Sequence, residues 1–407
     1  MNCRHCCASL ETTFLDLGFA PPSNAYLSKD ALSRPETYYP LRLKVCSNCW
    51  LVQTEDHAQA GDLFDQDYAY FSSTSSSWLA HAAAYSEMVT RRFGLDKSSL
   101  VLEIASNDGY LLKNFIANGV SCLGVEPTES TATAAEKLGI PVLRRFFGKS
   151  LGDELAASGK RADLIVGNNV YAHVPDINDF TRGLQAALKP QGVITLEYPH
   201  VLRLLEQTQF DTAYHEHFSY LSLYAVDRIF RTVGLRVWDV EEIPTHGGSL
   251  RVYGCHAHAG HATTSAVSAM LEIEGQRGLR TLETYLNFQS RADRIKDDLV
   301  TFLIEQKRLN RKVAAYGAAA KGNTILNYAG IKTDLLPVVY DAAAAKQGKY
   351  MPGSHIPIMP PEMLIAQRPD FLLILPWNIA VEVKHQNADL AALGTKFVTA
   401  VPRLEIA

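Results

Sequence analysis

The sequence predicts an α/β protein of three parts: a small cysteine-rich N-terminal module, a central Rossmann-like domain, and a second Rossmann-like domain at the C-terminus. Two C-x-x-C pairs stand near the N-terminus, strand and helix patterns alternate from Leu100 onward, and a second alternation begins near Asn310. A single hydrophobic core stops growing at roughly 250–300 residues, which a chain of 407 residues exceeds. We expect the three parts at residues 1–75, 76–240 and 241–407.

Composition and charge predict a folded protein with a small-molecule ligand. Hydrophobic residues make up 47% of the chain and charged residues 20%, close to the average of soluble globular proteins. The net charge is −4 with no long block of one sign, so nothing marks a surface for nucleic acid or for a membrane. No apolar run approaches a membrane span, and the N-terminus lacks the pattern of a signal peptide. We expect a cytoplasmic monomer or small homo-oligomer.

The N-terminal cysteines occur as two C-x-x-C pairs, "CRHC" and "CSNC", separated by residues 7–45. Two such pairs supply the four thiolates of a closed, structural zinc site, and the strand pattern "YYPLRLKVC" allows the second pair to return to the first. Two unrelated surface pairs or a redox C-x-x-C are the alternatives, and His5 or Cys7 could replace one ligand. The predicted zinc ligands are Cys3, Cys6, Cys46 and Cys49.

Residues 62–78, "DLFDQDYAYFSSTSSSW", are rich in aromatic, hydroxyl and acidic side chains and show no clear period. Such a segment is typical of a linker or a binding loop. Aromatic faces and hydroxyls suit a sugar or a nucleotide, while hinge packing is the alternative. Tyr68 is the candidate for substrate binding.

The central domain is predicted from strands that alternate with helices, beginning with "LVLEIASNDGYLLKNFIANG". A buried strand at 101–105 is followed by the turn "SNDG" and a helix. The second strand ends at Glu126, twenty-three residues after Glu103. In a doubly wound sheet the ligand binds at the carboxyl ends of the strands, where an acidic residue after the second strand accepts ribose hydroxyls. Glu126 is therefore predicted to bind the ribose of a cofactor.

The turn after the first strand indicates which cofactor binds. A dinucleotide needs G-x-G-x-x-G so that its pyrophosphate can approach the backbone, and only Gly109 is present, with Ala105 in the place of a usual glycine. Glu103, Asn107 and Asp108 would repel a pyrophosphate but suit the ammonium and sulfonium of S-adenosylmethionine. The turn resembles the first motif of a methyltransferase and favours this cofactor over NAD. The predicted fold class is therefore α/β, with a class I methyltransferase Rossmann-like domain between the N-terminal zinc-binding module and the C-terminal Rossmann-like domain. The predicted cofactor residues are Glu103, Ala105, Asn107, Asp108, Gly109, Glu126, Pro127, Asn168 and Asn169.

Residues 210–224, "FDTAYHEHFSYLSLY", concentrate ionisable and aromatic side chains. A metal site, a proton-transfer site and an aromatic core all use such residues. His215 and His217 could chelate a metal on a strand, but carboxylates other than Glu216 are scarce nearby. On a helical turn, positions 214 and 217 share a face.

The order of the motifs is specific over almost the whole chain. The zinc knuckles are followed by "YAYFSS", "LEIASNDGYLL", "VEP", "NNVYAHVPD", "FDTAYHEHFSYLS", "HGGSLRVY" and "YGAAAKGNT". This series resembles the sugar-nucleotide C-methyltransferases that have an N-terminal zinc-binding domain. Members of that family use S-adenosylmethionine to methylate a carbon next to the C4 ketone of a nucleotide-linked 4-keto-deoxysugar, most often C3 and in some members C5. The resemblance implies a dTDP- or other nucleotide-linked sugar as the substrate.

The resemblance also implies roles within the Y-x-E-H motif. His217 would remove the proton beside the ketone, Tyr214 would donate to the enolate oxygen, and Glu216 would orient or tune them. His215 occupies the variable position and receives no catalytic part. His173 matches another active-site histidine of the family, and on composition alone it reads as a packing residue.

The C-terminal domain is predicted from "RKVAAYGAAAKGNTILNYAG" and the strand patterns that follow it. Lys321 and Asn323 stand where a helix begins after a strand, a place that can hold a diphosphate, and a plain strand-to-helix turn is the alternative. The glycines of "HGGSLRVY" indicate either a close approach to substrate or a bulge. Two other functions stay open: an NAD-dependent sugar-nucleotide oxidoreductase with Asp341 as its ribose ligand, and a non-catalytic zinc-containing scaffold.

Overall fold

A computed structural model describes residues 1–55 and 71–407 of the chain. Its strands form a four-stranded, a seven-stranded and a six-stranded sheet in the described part. Tyr68 lies outside the described residues. None of the described helices combines the length and the hydropathy of a membrane span.

The N-terminal sheet is antiparallel and takes its last strand from far along the chain. Strand β2 alternates apolar with polar residues, so Leu41, Leu43 and Val45 point into the core. The fourth strand follows the Y-x-E-H motif and pairs with β3. In spatial order the strands are β1 (Thr12–Ala20), β2 (Tyr39–Val45), β3 (Val52–Thr54) and β9 (Ser219–Tyr220).

The central sheet has a parallel part of five strands and an antiparallel edge of two, β11 and β10. Its inner strands β4, β7 and β8 are mostly apolar and buried, as is typical of a sheet with helices on both faces. Strand β11 lies beyond residue 240, where we expect the domain to end. In spatial order the strands are β10 (Leu235–Ile243), β11 (Ser249–His256), β8 (Leu188–Pro199), β7 (Ala162–Asn168), β4 (Leu100–Ile104), β5 (Ser121–Val125) and β6 (Val142–Leu143).

The helices of the central domain begin and end at recognisable caps. The Ser75 side chain accepts from the amide of Trp78 at the start of α1, and Gly94 ends that helix with φ of 61°. Ser222 caps α7 in the same way through the amide of Ala225. The helices are α1 (Ser76–Phe93), α2 (Leu112–Ala117), α3 (Glu129–Lys137), α4 (Lys149–Ala157), α5 (Ile177–Ala187), α6 (Val201–Glu206) and α7 (Leu223–Arg231).

The C-terminal sheet is parallel except for its last strand. Three helices connect it to the central domain: α8 (Ser265–Gln276), α9 (Glu283–Leu286) and α10 (Phe288–Arg308). The strands in spatial order are β14 (Ile358–Met359), β13 (Val339–Tyr340), β12 (Val313–Tyr316), β15 (Phe371–Ile374), β16 (Lys396–Thr399) and β17 (Glu405–Ile406). Its helices are α11 (Ala320–Tyr328), α12 (Leu364–Gln367), α13 (Ala380–Gln386) and α14 (Ala388–Ala392).

One hydrophobic core joins the N-terminal sheet to the C-terminal sheet through α10. The ring of Phe14 on β1 packs edge-on against Tyr285 at 5.3 Å and against Phe288 at 5.7 Å. Burial of such aromatic side chains dominates packing energies. The N-terminal module is therefore held against the C-terminal sheet as well as against the central domain.

Candidate active site and zinc centre

The four predicted zinc ligands meet in one cluster. The Sγ atoms of Cys3, Cys6, Cys46 and Cys49 lie within 4.8 Å of one another. Cys3 and Cys49 are 3.5 Å apart, as are Cys6 and Cys46. A tetrahedral zinc ion with bonds of about 2.3 Å would hold its sulfurs about 3.8 Å apart, so the donor set fits zinc.

The same backbone hydrogen bond closes both C-x-x-C pairs. The residue after the second cysteine, Cys7 or Trp50, donates its amide to the carbonyl of the first cysteine at 3.0 and 2.8 Å. Both residues are left-handed, with φ of 61° and 62°. Cys7 itself is exposed, and His5 donates from Nδ1 to the Oδ1 of Asn178 at 2.8 Å. Neither His5 nor Cys7 therefore replaces a ligand.

The zinc module is attached to two segments of the central domain, one that follows His173 and one that contains the Y-x-E-H motif. The Arg4 side chain donates to the carbonyl of Pro175 at 2.9 Å. The hydroxyl of Thr54, at the end of β3, donates to the carbonyl of His217 at 2.9 Å. Because β3 also pairs with β9, the backbone of His217 is fixed by the module.

A cavity of about 500 Å³ lies between the central sheet, the C-terminal sheet and the loop after β1. The predicted residues that line it are Ala105, Asn107, Glu126, Pro127, Asn168, Asn169, His173, Tyr214, Glu216, His217 and Lys321. Glu103, Asp108, Gly109 and Asn323 do not line it, and Tyr68 lies outside the described residues.

The turn after β4 has the left-handed backbone conformation that favours glycine, although two of its left-handed residues are not glycines. Ala105 and Asn107 are left-handed, with φ of 54° and 48°. Gly109 has φ of 79°, and a Cβ there would lie 2.3 Å from the Cδ1 of Ile140. Close packing against Ile140 therefore explains why this position is a glycine. A phosphate beside the turn is not needed to explain it.

Glu126 stands at the carboxyl end of β5 and faces the cavity. One carboxylate oxygen accepts from the amide of Asn107 at 3.0 Å and the other from the amide of Thr128 at 2.9 Å. A carboxylate oxygen can accept more than one hydrogen bond, so Glu126 still has capacity for ribose hydroxyls.

Acceptor oxygens line the cavity near the ends of β5 and β7. One oxygen of Asn168 and one of Asn169 are buried and have no hydrogen-bond partner among residues 1–55 and 71–407, and the Glu126 carboxylate lines the same cavity. Behind this wall, burial raises the pKa of Glu103 well above its ordinary value, and the charges of Glu126 and Asp108 add to the effect. Acceptor oxygens with one carboxylate among them fit the ammonium and sulfonium of S-adenosylmethionine.

Tyr214 and His217 form a hydrogen-bonded pair on the cavity wall. A turn, closed by the His217 amide on the carbonyl of Tyr214 at 2.9 Å, brings them together where the sequence suggested a helical turn. The Nδ1 of His217 contacts the carbonyl of Thr212 at 2.9 Å and must carry the proton, because a carbonyl only accepts. Its Nε2 therefore has a lone pair, which accepts from the Tyr214 hydroxyl at 2.7 Å.

The buried ring of His217 and the half-buried ring of His173 lie side by side in this part of the cavity. The rings of His173 and His217 are 4.6 Å apart and nearly perpendicular. Burial lowers the pKa of His173 to about 4. Burial also holds the pKa of His217 well below its ordinary value, and the neighbouring His173 adds to this. Both rings are neutral near pH 7, the state in which an imidazole can accept a proton.

Glu216 is held by a residue that sequence reasoning missed. The side-chain amide of Asn24 donates to both carboxylate oxygens of Glu216, at 2.8 and 2.9 Å. Asn24 belongs to the loop after β1 and lines the cavity. No local pattern marks it, because the contact spans 192 positions of the chain.

His215 lies apart from the imidazole pair. Its Nε2 lies 3.3 Å from the carbonyl of Pro40, and its ring packs edge-on against Tyr39. Within the described residues the four-cysteine cluster is the one group with metal-ligand geometry, so the structure gives no support to a metal on His215 and His217.

Lys321 projects from the start of α11 into the cavity. Its Nζ donates to the Oδ1 of Asn378 at 2.7 Å and lies 4.6 Å from the centre of the Trp377 ring. Burial lowers its pKa, while Asp211 acts in the opposite direction. Asn323 faces elsewhere, because its side chain donates to the carbonyl of Ser23 at 2.6 Å.

Three family models match the chain and divide it in order. A zinc binding domain matches residues 3–64, a methyltransferase domain matches residues 78–240, and a C-methyltransferase C-terminal domain matches residues 244–402. Together with the sheets and the cysteine cluster, these matches confirm the predicted fold class, with S-adenosylmethionine and zinc as cofactors.

Similar proteins include one relative of nearly full length. The C-methyltransferase NovU of Streptomyces niveus is 33% identical over 98% of this chain and 95% of its own. The ubiquinone biosynthesis O-methyltransferase of Azorhizobium caulinodans is 26% identical over 26% of this chain and 46% of its own. The structure of 1,6-didemethyltoxoflavin-N1-methyltransferase from Burkholderia thailandensis is 15% identical, covers 51% of this chain and 95% of its own, and has a TM-score of 0.38.

Proposed function

Since the chain belongs to the C-methyltransferase family, we propose that it methylates the carbon next to the ketone of a nucleoside-diphosphate 4-keto-deoxysugar. C3 is the expected carbon, with C5 as the other possibility within the same chemistry. The observation that supports this most directly is the hydrogen bond between Tyr214 and the Nε2 of His217 on the wall of the cofactor cavity. A base and a hydroxyl donor side by side are what enolate formation requires.

His217 is the proposed base. Its Nδ1 proton is fixed on the carbonyl of Thr212, so Nε2 is the nitrogen that can take the proton from the carbon beside the ketone. The electron pair of that C–H bond then moves towards the ketone oxygen and forms an enolate. Lowered pKa values keep both His217 and His173 unprotonated, so the base does not need to lose a proton first.

Tyr214 is the proposed donor to the enolate oxygen. In this structure its hydroxyl proton points to the Nε2 of His217. We propose that substrate entry turns the hydroxyl towards the ketone oxygen, which releases Nε2 for the α-proton in the same movement. Asn24 fixes the carboxylate of Glu216, which follows Tyr214 by two residues and lines the same cavity.

The residues proposed to hold S-adenosylmethionine surround the other end of the same cavity. Glu126 is the proposed ligand of the ribose hydroxyls, and Asn168 and Asn169 offer acceptor oxygens on the wall of the same cavity. When bound, S-adenosylmethionine supplies an electrophilic methyl group for the nucleophilic carbon. The burial of His217 and Glu216 limits the access of water to the enolate.

The diphosphate of the substrate is proposed to bind at the start of α11. Ala319, Ala320 and Lys321 line the cavity there, so the N-terminus of a nine-residue helix and an ammonium face the same space. Lys346 lines the cavity nearby. Backbone amides, the helix dipole and lysine side chains together favour a phosphate group.

No observation favours the oxidoreductase or the scaffold. The carboxylate of Asp341 accepts from the amides of Ala318 and Ala343, both at 2.7 Å, and Asp341 does not line the cavity. A scaffold has no need for a base with a fixed tautomer, such as His217.

The test is a deuterium exchange assay with methyl transfer as its second readout. A dTDP-4-keto-6-deoxysugar is incubated with the enzyme in D₂O, with and without S-adenosylmethionine, and followed by mass spectrometry and proton NMR. We expect exchange at one carbon beside the ketone, and a methyl gain at that carbon when the cofactor is present. Loss of a general base lowers rates by about 10²- to 10⁴-fold, so His217→Ala should lose both signals.

His215→Ala is the matched control, because His215 is a buried neighbour outside the cavity wall. It should keep exchange and methyl gain. If several nucleotide sugars show neither exchange nor methyl gain with the wild type, the proposed substrate class is wrong. Methyl gain without exchange in either condition would contradict a free enolate.

A further inference from the structure

A third imidazole, His246, lines the cavity and has no part in the steps above. It belongs to the "HGGSLRVY" segment between β10 and β11. Its Nε2 is buried and has no hydrogen-bond partner in residues 1–55 or 71–407. Its ring lies 5.3 Å from that of Trp78, another residue of the cavity wall. Buried polar atoms are normally paired, so this nitrogen indicates a missing partner.

The backbone of His246 adopts a conformation that glycine or asparagine would adopt more readily. Its φ is 57° and its ψ is 17°, in the left-handed region. The two glycines that follow are packed tightly: a Cβ on Gly247 would lie 2.5 Å from the Trp377 ring, and one on Gly248 would lie 2.7 Å from the Cγ of Arg203. The loop therefore has little freedom to relax. A residue whose strained backbone holds its side chain against a cavity is a sign of function.

The charges around His246 leave its ring neutral. Burial lowers its pKa to about 4, with Lys321 as the next contribution. Glu197 is the nearby carboxylate that would favour a proton on the ring, but Glu197 is already paired with Arg251 at 2.7 Å and with His81 at 2.8 Å. A neutral imidazole offers one donor and one acceptor, which suits an uncharged or anionic oxygen of a ligand.

The neighbours of His246 point to the substrate rather than to the cofactor. Lys321, His173 and His217 line the cavity together with His246, and Lys321 and His173 both lower the pKa of His246. These three residues surround the part of the cavity assigned above to the sugar and its diphosphate. We propose that His246 is a substrate-binding residue whose Nε2 hydrogen-bonds an oxygen of the sugar nucleotide. The inference rests on the proposed function and assigns a residue to the same site.

The test compares His246→Gly with His355→Gly. His355 has the same φ of 57°, is exposed and lies outside the cavity wall, so both changes relieve the same backbone strain. Loss of one hydrogen bond in a buried site should raise the KM for the sugar nucleotide about 10- to 100-fold in His246→Gly, with the Kd for S-adenosylmethionine unchanged. His355→Gly should keep both values.

Two further measurements separate a lost contact from a disturbed loop. Added imidazole should restore part of the activity of His246→Gly, and His246→Asn, which tolerates the left-handed backbone and keeps a donor and an acceptor, should lie between wild type and His246→Gly. The inhibition constant of the free nucleoside diphosphate distinguishes the oxygen involved. If it rises together with KM, the contact is to phosphate, and if KM alone rises, the contact is to the sugar.

The outcomes distinguish the inference from the proposed function. Wild-type turnover with an unaltered KM in His246→Gly would overturn the inference alone. The same would hold if His246→Gly and His355→Gly raised KM equally. Absence of turnover by the wild type with every nucleotide sugar tried would overturn the proposed function, and the inference with it.

Discussion

The central sheet and the C-terminal sheet have the same acidic arrangement at the end of their second strand. In the central domain, one oxygen of Glu126 accepts an amide from the turn after the first strand, and the other accepts the amide two residues on, that of Thr128. In the C-terminal domain Asp341 makes the same two bonds, with Ala343 as the residue two positions on. The strand ends of the two domains are therefore built alike.

The two domains differ in what lies over those strand ends. Glu126 faces the open cavity. In the C-terminal domain the loop after β1 covers the turn: the Tyr26 hydroxyl donates to the carbonyl of Ala318 at 2.5 Å, and Lys346 donates to the same oxygen at 2.8 Å. A Rossmann-like turn with its acidic residue thus does not by itself imply a cofactor. Asp341 does not line the cavity, whereas Ala319, Ala320 and Lys321 after the same turn do, so packing decides which part of the turn a ligand can reach.

The largest expected effect comes from removing the zinc, because the N-terminal module touches both domains. Structural zinc supplies about 10 kcal/mol or more in zinc-finger peptides. Cys46→Ser should lose the metal, lower the melting temperature and abolish methyl transfer, since β3 pairs with the strand that follows His217. Metal content, melting temperature and turnover are measured together. Cys7→Ser, next to the first pair but outside the cluster, is the control and should keep all three.

The second prediction compares the two acidic residues directly. Glu126→Gln should raise the Kd for S-adenosylmethionine about 10- to 100-fold, because hydrogen bonds from ribose to a carboxylate are among the stronger ones. Asp341→Asn should leave that Kd unchanged. Both constants are measured by calorimetry. NAD binding by the wild type that is lost in Asp341→Asn would reverse the comparison.

The third prediction separates binding from chemistry. Lys321→Ala should raise the KM for the sugar nucleotide about tenfold or more with a smaller change in kcat, because the proposed contact is to the diphosphate, which does not change in the reaction. Steady-state kinetics give both values. Lys307→Ala, an exposed lysine paired with Asp334, is the control. An unchanged KM in Lys321→Ala would remove Lys321 from the substrate site.

The smallest expected effect concerns the loop over the C-terminal turn. Tyr26→Phe removes one hydrogen bond to the carbonyl of Ala318, which still accepts from Lys346. The free energy of unfolding should fall by about 1 kcal/mol, with no change in the affinity for S-adenosylmethionine. Denaturant unfolding and cofactor titration give the two numbers. Weaker cofactor binding would mean that this loop also acts on the central site.

Several features of the site follow from neighbouring positions and could be predicted. Two C-x-x-C pairs predict the zinc ligands. The position of Glu126 after the second strand predicts it as the candidate ribose ligand. The pairing of Tyr214 with His217 needs only a turn across three residues. Such contacts depend on short segments whose backbone geometry has few alternatives.

The other features depend on where distant segments pack. Asn24 meets Glu216 across 192 positions, Thr54 holds the carbonyl of His217 across 163, and Tyr26 covers Ala318 across 292. No periodicity encodes these contacts, because each depends on how whole sheets are placed. The sequence by itself determined the three-part α/β architecture, the zinc ligands and the cofactor. Only the tertiary structure decided which acidic strand end lines the cavity and which distant side chains contact the Y-x-E-H segment, since burial and long-range packing set both.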